Sequence, residues 1–166
     1  MTLPEFELDF EYQELRGSSK ESGGVWRYKL FEDISIIIPH LAGHTRSISF
    51  RDAKRREWAR IDGQVLTIRE GYSWNGASPK VWFLGRWWGT PDYPATRLAS
   101  LCHDIFYQFV NVADWPIPYK TCNDLFFDIM RASGFKWTCI YHGAVHRFGK
   151  KFAGEFPSKG EHSVLL

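Results

Sequence analysis

The spacing of apolar and polar residues changes its period near the middle of the chain. From residue 25 to residue 72, segments rich in β-branched and aromatic residues alternate with turn formers, which is typical of strands. These segments are VWRYKLF, ISIIIP, RSISF and VLTI. Asp62 and Gly63 separate WARI from QVLTI and predict a hairpin turn, because glycine tolerates the positive φ of tight turns. The first half is therefore predicted to be β-rich.

After Pro94 the apolar residues recur every three or four positions, which is the period of a helix with one buried face. The apolar positions of this first helix are Leu98, Leu101, Cys102, Ile105, Phe106 and Phe109. A second helix is predicted from near Pro118 to a stop before Gly134, and a third from about Lys136 to Phe148. The fold class predicted is α+β, with a β-rich N-terminal half followed by three packed helices.

The chain divides into one domain with a segment at either end. Residues 1–24 are acidic and then rich in glycine and serine, which predicts an arm and a linker. Residues 25–150 are predicted to form a single α+β domain, and residues 151–166 a C-terminal tail. We expect one functional site in a domain of this size.

Composition and charge exclude several classes of protein. The net charge is +2 with acidic and basic residues interspersed, so the sequence carries no strong signal for nucleic acid. Three cysteines without a CxxC pair exclude a disulfide scaffold and a metal knuckle. No apolar run approaches the roughly 20 residues of a membrane span, and the N-terminal segment lacks the features of a signal peptide. We expect synthesis in a bacterial-type cytoplasm.

A His-Asp pair on the first helix is the strongest candidate for chemistry. His103 and Tyr107 are one turn apart on one face, and Asp104 lies about 100° around the axis. The second helix carries Asp124 and Asp128, and antiparallel packing would bring an acidic side chain to His103. A histidine held by a carboxylate serves as a base for water, so we expect Asp124 to fix the tautomer of His103. Asp104 would hold a hard, oxygen-preferring cation.

The segment GYSWNGASP, residues 71–79, supplies a loop upstream of this helix. Its glycines and Asn75 turn the backbone sharply, which exposes carbonyls to a cation or amides to an oxyanion. Asn75 is therefore a candidate metal ligand with Asp104. The alternatives are an ordinary connection between a hairpin and a helix, and a helical histidine bridged by its neighbouring carboxylate.

Four ordered segments carry a family resemblance: GYSWNGASP, LCHDIFY, CNDLFFDIMRASG and YHGAVHRFG. Together, from Gly71 to Gly149, they resemble a domain-of-unknown-function family frequent in tailed phages and prophages. That family shows a Gly-aromatic-x-x-Asp-x-Ala-Ser-x-Pro loop, a His-Asp-x-x-Tyr helix, an Ala-Asp-x-x-Phe helix and a closing Val-x-x-Phe-Gly. This chain departs from the loop motif, since Asn75 replaces its aspartate. The resemblance implies a phage or prophage protein that works with other phage proteins, in the virion or outside it.

LCHDIFY followed by NDLFF is also similar to the helix pair of secreted phospholipases A2. That similarity implies that His103 is the catalytic base and that Tyr107 supports it by a hydrogen bond. It also implies that Asp124 orients the histidine and that Asp104 binds calcium. The cysteine-rich calcium loop of those enzymes has no counterpart, so residues 74–78 would have to replace it.

Two functions fit these patterns. The first is a hydrolase of ester bonds in lipid or the cell envelope, for which Trp82, Trp87 and Trp88 would form an interfacial surface. The second is a non-catalytic virion, tail or accessory protein that keeps the His-Asp block as architecture. It would dock through the acidic arm, the Gly/Ser-rich linker and the apolar patch WFLGRWW.

A third pattern concerns transition metals. His142 and His146 are four residues apart on the third helix, a spacing that can bind Zn²⁺. His40 and His44 repeat the spacing, but a neighbouring proline and glycine place them in a loop. No Glu or Cys stands beside His142 and His146 to complete a ligand set, so the sequence favours two exposed histidines on the polar face of an amphipathic helix.

Overall fold

The computed structural model describes residues 12–14, 28–52, 54–74, 76–77, 80–83, 86–89, 93–109 and 117–148. It has the predicted α+β architecture, with strands in the N-terminal half followed by three helices. The strands are β1 (Tyr12–Glu14), β2 (Tyr28–Leu30), β3 (Ile34–Ile37), β4 (Ser47–Arg51), β5 (Glu57–Asp62), β6 (Val65–Ile68), β7 (Ser73–Trp74), β8 (Lys80–Phe83) and β9 (Arg86–Gly89). The helices are α1 (Arg97–Phe109), α2 (Tyr119–Ala132) and α3 (Thr138–Phe148).

The largest described sheet is antiparallel, with the strand order β3-β6-β5-β4. Alternate residues of β3 and β6 are buried, so this sheet packs one face on the core. The predicted hairpin joins β5 to β6 and pairs Asp62 with Val65, so its loop is Gly63 and Gln64, one position later than predicted. Gly63 has a φ of 59°, which glycine adopts without a steric penalty.

A second sheet, β1-β2-β7, connects the N-terminal region to the helices. Its middle strand β2 pairs antiparallel with β1 on one side and with β7 on the other, where Tyr28 lies opposite Trp74. Part of the segment that we predicted to be an arm is therefore an edge strand of the fold. The rest of residues 1–24 and the predicted tail, residues 151–166, lie outside the described residues.

The segment WFLGRWW forms a two-stranded hairpin of β8 and β9. By Cα register, Val81 lies opposite Trp88 and Trp82 opposite Trp87. The side chains of these tryptophans, for which the sequence predicts an interfacial or docking surface, lie outside the described part of the chain. That surface stays a prediction.

Both larger sheets pack on α1. The indole Nε1 of Trp74 in β7 donates a hydrogen bond to Oγ of Ser100 at 3.1 Å, and the Phe50 ring in β4 lies 5.4 Å from the Phe109 ring. Helix α2 then packs on α1, and α3 on α2. As a result, nearly every residue of α1 is buried, and His103 lies at the contact between α1 and α2.

The helix boundaries follow the predicted signals. Pro118 is the N-cap of α2, and Gly134, with a φ of 71°, ends the turn that follows this helix. Helix α3 starts slightly later than predicted, at Thr138. None of the helices in the described part of the chain is both long enough and apolar enough to cross a bilayer.

Candidate functional site

His103 belongs to a buried polar cluster between α1 and α2. Its side chain is largely inaccessible, with 8% of the residue surface exposed. The ring nitrogen Nε2 lies 3.2 Å from Oδ1 of Asn123, and the Tyr107 hydroxyl donates to the same oxygen at 2.7 Å. The imidazole is also enclosed by rings, with centroid distances of 4.0 Å to Tyr107 and 4.9 Å to Phe126. We call His103, Tyr107 and Asn123 the inner cluster.

The hydrogen bonds of the inner cluster define where its protons lie. A carbonyl oxygen can only accept, so Nε2 of His103 must carry a proton and donate it to Asn123. Burial raises the pKa of the Tyr107 phenol well above its usual value, so this group is also a protonated donor. The other imidazole nitrogen, Nδ1, lies 3.8 Å from Oδ1 of Asp104. The two ring nitrogens of His103 therefore face an amide oxygen and a carboxylate.

Asp124 lies on the other side of α2, against α3. Its Oδ2 accepts a hydrogen bond from Nζ of Lys120 at 2.6 Å. Its Oδ1 lies 3.6 Å from Nε2 of His142 and 3.9 Å from Nε2 of His146. Burial acts to raise the pKa of Asp124, but Lys120 and His142 together outweigh it and hold this pKa below its ordinary value.

The structure does not form the predicted pair of Asp124 and His103. Consecutive helical residues project about 100° apart, so α2 turns Asn123 toward α1 and Asp124 toward α3. Asp128 does not reach His103 either, because its carboxylate lies 3.5 Å from Nε2 of His40. Of the predicted catalytic residues, His103 and Tyr107 are brought together, and Asp124 is not.

A helical projection of α2 contains the signal that the sequence interpretation missed. Asn123 precedes Phe126 by three positions and therefore shares the side of α2 that packs on α1. Asp124 instead precedes Phe127 by three positions, and Phe127 contacts α3 through the ring of His142 at 4.7 Å. The aromatic residues of α2 thus indicate which polar neighbour meets which helix.

The predicted metal ligands, Asp104 and Asn75, are described only in part. The Asp104 side chain is 24% exposed, and Asn75 lies outside the described residues. Burial, followed by the charge of Asp104, raises the pKa of Tyr72 well above its ordinary value. The buried Tyr72 hydroxyl has no hydrogen-bond partner within the described ranges. A calcium site at Asp104 and Asn75 stays a prediction.

The two buried cysteines do not offer an activated nucleophile. Cys102 and Cys122 are buried free thiols, and burial raises the pKa of each to about 12. A thiol with such a pKa stays protonated near neutral pH, and the thiolate is the nucleophilic form. Cys139 is a free cysteine at the surface.

A second polar cluster lies between α2 and α3 and consists of Asp124, His142 and His146, which we call the outer cluster. One ligand atom from each residue lies within 4.8 Å of the other two. The two imidazole rings are 4.4 Å apart and inclined at 77°. Burial, and then the neighbouring His146, lower the pKa of His142 in spite of the opposing effect of Asp124. The sequence predicts two unconnected exposed histidines here, and the structure adds a carboxylate from another helix.

The two clusters differ in what they can do chemically. The inner cluster is closed and its donors are matched to acceptors, so it can hold two helices together. The outer cluster gathers groups that can each bind a metal ion. Comparison of the chain with protein-family models, with curated proteins and with solved structures gives no match.

Proposed function

We propose that this chain is a non-catalytic virion or accessory protein of a phage or prophage, in which the His-Asp block serves as architecture. The observation that carries the proposal is the contact between Nε2 of His103 and Oδ1 of Asn123. A histidine that activates water needs an unprotonated nitrogen facing the water and a carboxylate that stabilises the imidazolium on the other side. In the inner cluster Nε2 contacts a neutral amide, the Asp104 carboxylate lies 3.8 Å from Nδ1, on the side where the water would have to bind, and the imidazole is buried.

The helix motif of the phage family supports the same conclusion. Its Ala-Asp-x-x-Phe pattern fits CNDLFF in two registers, with either Asp124 or Asn123 in place of its aspartate. The second register agrees with the packing, since Asn123 and Phe126 are the α2 residues in contact with His103. In that register the aspartate of the family's helix motif is replaced by Asn123, just as the aspartate of its loop motif is replaced by Asn75. A catalytic site would then lack two carboxylates.

An apolar surface at the start of α3 fits a protein partner. Trp137 and Ile140 are 57% and 56% exposed, and the amide of Ile140 donates to the carbonyl of Trp137 at 3.0 Å. Two such side chains one turn apart form a patch. Grouped exposed apolar residues mark contact surfaces, and tryptophan is enriched among the residues that dominate binding. We infer that α3 contributes to docking on another phage protein.

The enzymatic alternative has a direct test. Fatty-acid release from mixed phospholipid vesicles is measured with and without Ca²⁺, for the natural chain and for His103→Ala. We expect release at the buffer rate in all four samples, because His103 lacks a carboxylate partner on α2. Release that requires His103 would overturn the non-catalytic proposal.

The docking role is tested after induction of the phage or prophage that encodes the chain. We expect the chain to sediment with particles, and Trp137→Ala to weaken this association about tenfold or more, as for a central contact residue. Phe31→Ala is the matched control, because Phe31 is equally exposed at 55% but follows β2 and lies far along the chain from α3. A chain that never sediments with particles would contradict the virion form of the proposal.

A further inference from the structure

The outer cluster has the donor set of a transition-metal site. Two imidazole nitrogens and one carboxylate oxygen converge from α2 and α3. Nitrogen and oxygen donors of this kind bind Zn²⁺ and related divalent ions, often with water as a further ligand. We propose that Asp124, His142 and His146 bind a divalent transition-metal ion, with Zn²⁺ as the best fit, and that the ion joins α3 to α2.

The distances match a coordination shell better than a set of hydrogen bonds. Zn²⁺ binds nitrogen and oxygen at about 2.0 to 2.2 Å, so neighbouring ligand atoms of a tetrahedral site are about 3.3 to 3.6 Å apart. Oδ1 of Asp124 lies 3.6 Å from Nε2 of His142 and 3.9 Å from Nε2 of His146. Good N–H···O hydrogen bonds are shorter, at about 2.7 to 3.2 Å. A shift of a few tenths of an ångström brings these two distances to the spacing of a coordinated pair.

The two oxygens of Asp124 have separate partners. Oδ2 accepts the hydrogen bond from Lys120, and Oδ1 is the atom that faces both imidazoles. Oδ1 can therefore bind an ion in monodentate fashion while Lys120 holds the other oxygen. Support of this kind by an outer hydrogen bond is typical of metal-ligating carboxylates and fixes their orientation.

His142 supplies a second, independent indication of a ligand. Its Nε2 is buried and has no hydrogen-bond partner within the described ranges, although buried polar atoms in proteins are nearly always satisfied. The Phe127 ring packs on this imidazole with centroids 4.7 Å apart and restrains its orientation. An ion between His142 and Oδ1 of Asp124 would satisfy this nitrogen.

The third ligand leaves one side of the site open. His146 is 38% exposed, so water can complete the coordination shell and the ion can enter from solvent. Imidazole is a good ligand for Zn²⁺ and is not among the usual ligands of Ca²⁺, which prefers oxygen. The site is thus distinct, in position and in the metal that it selects, from the calcium site predicted at Asp104. It does not depend on the proposed function, because a metal link between helices suits a structural protein and an enzyme alike.

Binding is tested on the full chain without a histidine tag. Isothermal titration with ZnCl₂ should give one ion per chain. With Zn²⁺ at about 100 times its dissociation constant, the thermal midpoint should rise by roughly 5 to 10 °C and return after EDTA. Calcium and magnesium should not compete with Zn²⁺ for this site. Anomalous diffraction at the zinc edge should place the ion between α2 and α3.

Variants identify the ligands. His146→Gln removes an exposed ligand without opening the core, and Asp124→Asn removes the charge, so each should weaken Zn²⁺ binding tenfold or more. The matched control is His40→Gln, because His40 also lies beside an acidic residue of α2, Asp128, with Nε2 and the carboxylate 3.5 Å apart. This control should bind Zn²⁺ as the natural chain does. Absence of a zinc-dependent shift, an anomalous peak elsewhere, or unchanged affinity in His146→Gln would each overturn the proposal.

Discussion

Helix α2 presents two polar neighbours to two different helices, Asn123 to α1 and Asp124 to α3. Asn123 is 5% exposed, and its oxygen accepts from Tyr107 and His103. The Asp124 side chain is 33% exposed and meets two histidines at distances longer than hydrogen bonds. The inner cluster is buried and its hydrogen bonds are formed. The outer cluster is partly exposed, and its carboxylate and imidazoles are too far apart for good hydrogen bonds. The difference indicates that the inner cluster maintains the fold, whereas the outer cluster is available to a ligand.

Because the inner cluster is buried and the outer cluster is partly exposed, substitution of a polar side chain should affect stability differently in the two clusters. In the low dielectric of the core a hydrogen bond is strong, and a polar group left without a partner is costly. Near the surface, water and salt screen the charges, and lost contacts are replaced by hydration. We therefore expect large effects on stability from the inner cluster and small ones from the outer cluster in the absence of metal.

The largest expected effect is that of Asn123→Ala. This variant leaves the donors of His103 and Tyr107 buried without an acceptor, at about 1 to 3 kcal/mol each, so we expect the free energy of unfolding to fall by about 3 kcal/mol. Urea denaturation measures the change. Asp128→Ala, on the same helix but in a half-exposed pair with His40, serves as the control and should lose less than about 1 kcal/mol. Equal losses in both variants would contradict a special contribution of the inner cluster to stability.

Tyr107→Phe should have an intermediate effect. The substitution keeps the ring that packs at 4.0 Å from His103 and deletes only the hydroxyl that donates to Asn123. The amide oxygen keeps its contact with His103, so we expect a loss of about 1 kcal/mol, the usual net value of one hydrogen bond. Chemical denaturation of the variant beside the natural chain gives this difference. A loss as large as that of Asn123→Ala would mean that Tyr107, and not the amide, organises the cluster.

The smallest effect concerns acid stability at the outer cluster, measured with chelator present. The pKa of Asp124 is depressed in the folded state, so its stabilising contribution is present above the unfolded pKa of about 3.9 and is lost as the pH falls through the folded value. Asp124→Asn should flatten the stability profile below about pH 4, by no more than about 0.5 kcal/mol, because the group is partly exposed and screened. Thermal unfolding between pH 2 and pH 7 shows this. A steeper loss of stability with falling pH in Asp124→Asn than in the natural chain would contradict this prediction.

Most of the fold follows from local rules in the sequence. The period of the apolar residues predicts strands and then helices, and three residues of restricted or unusual backbone, Gly63, Pro118 and Gly134, mark boundaries close to where the structure has them. Each of these signals depends only on near neighbours along the chain. The pairing order of the strands depends on distant contacts, which signals between near neighbours do not specify.

The candidate site was predicted less well, because it depends on how helices are rotated against each other. The shared face of His103 and Tyr107 is a property of one helix and is confirmed. The partner on α2 requires its rotation, and a shift of one residue exchanges Asn123 for Asp124. The outer cluster depends on the α2–α3 hairpin, in which Asp124 and His146 are equally distant in sequence from Phe135 in the connection between the helices. Only the packing of the helices shows that both side chains lie between α2 and α3.

The edge strand β1 has a consequence for how this protein can be trimmed. A strand at the border of a sheet displays free amides and carbonyls, which readily pair with a second copy of the same chain. Tyr12–Glu14 covers one border of β2 in this way. A shortened chain that starts at residue 25 would lose this cover, and β2, the middle strand of the described sheet, would become the border that a second copy can pair with.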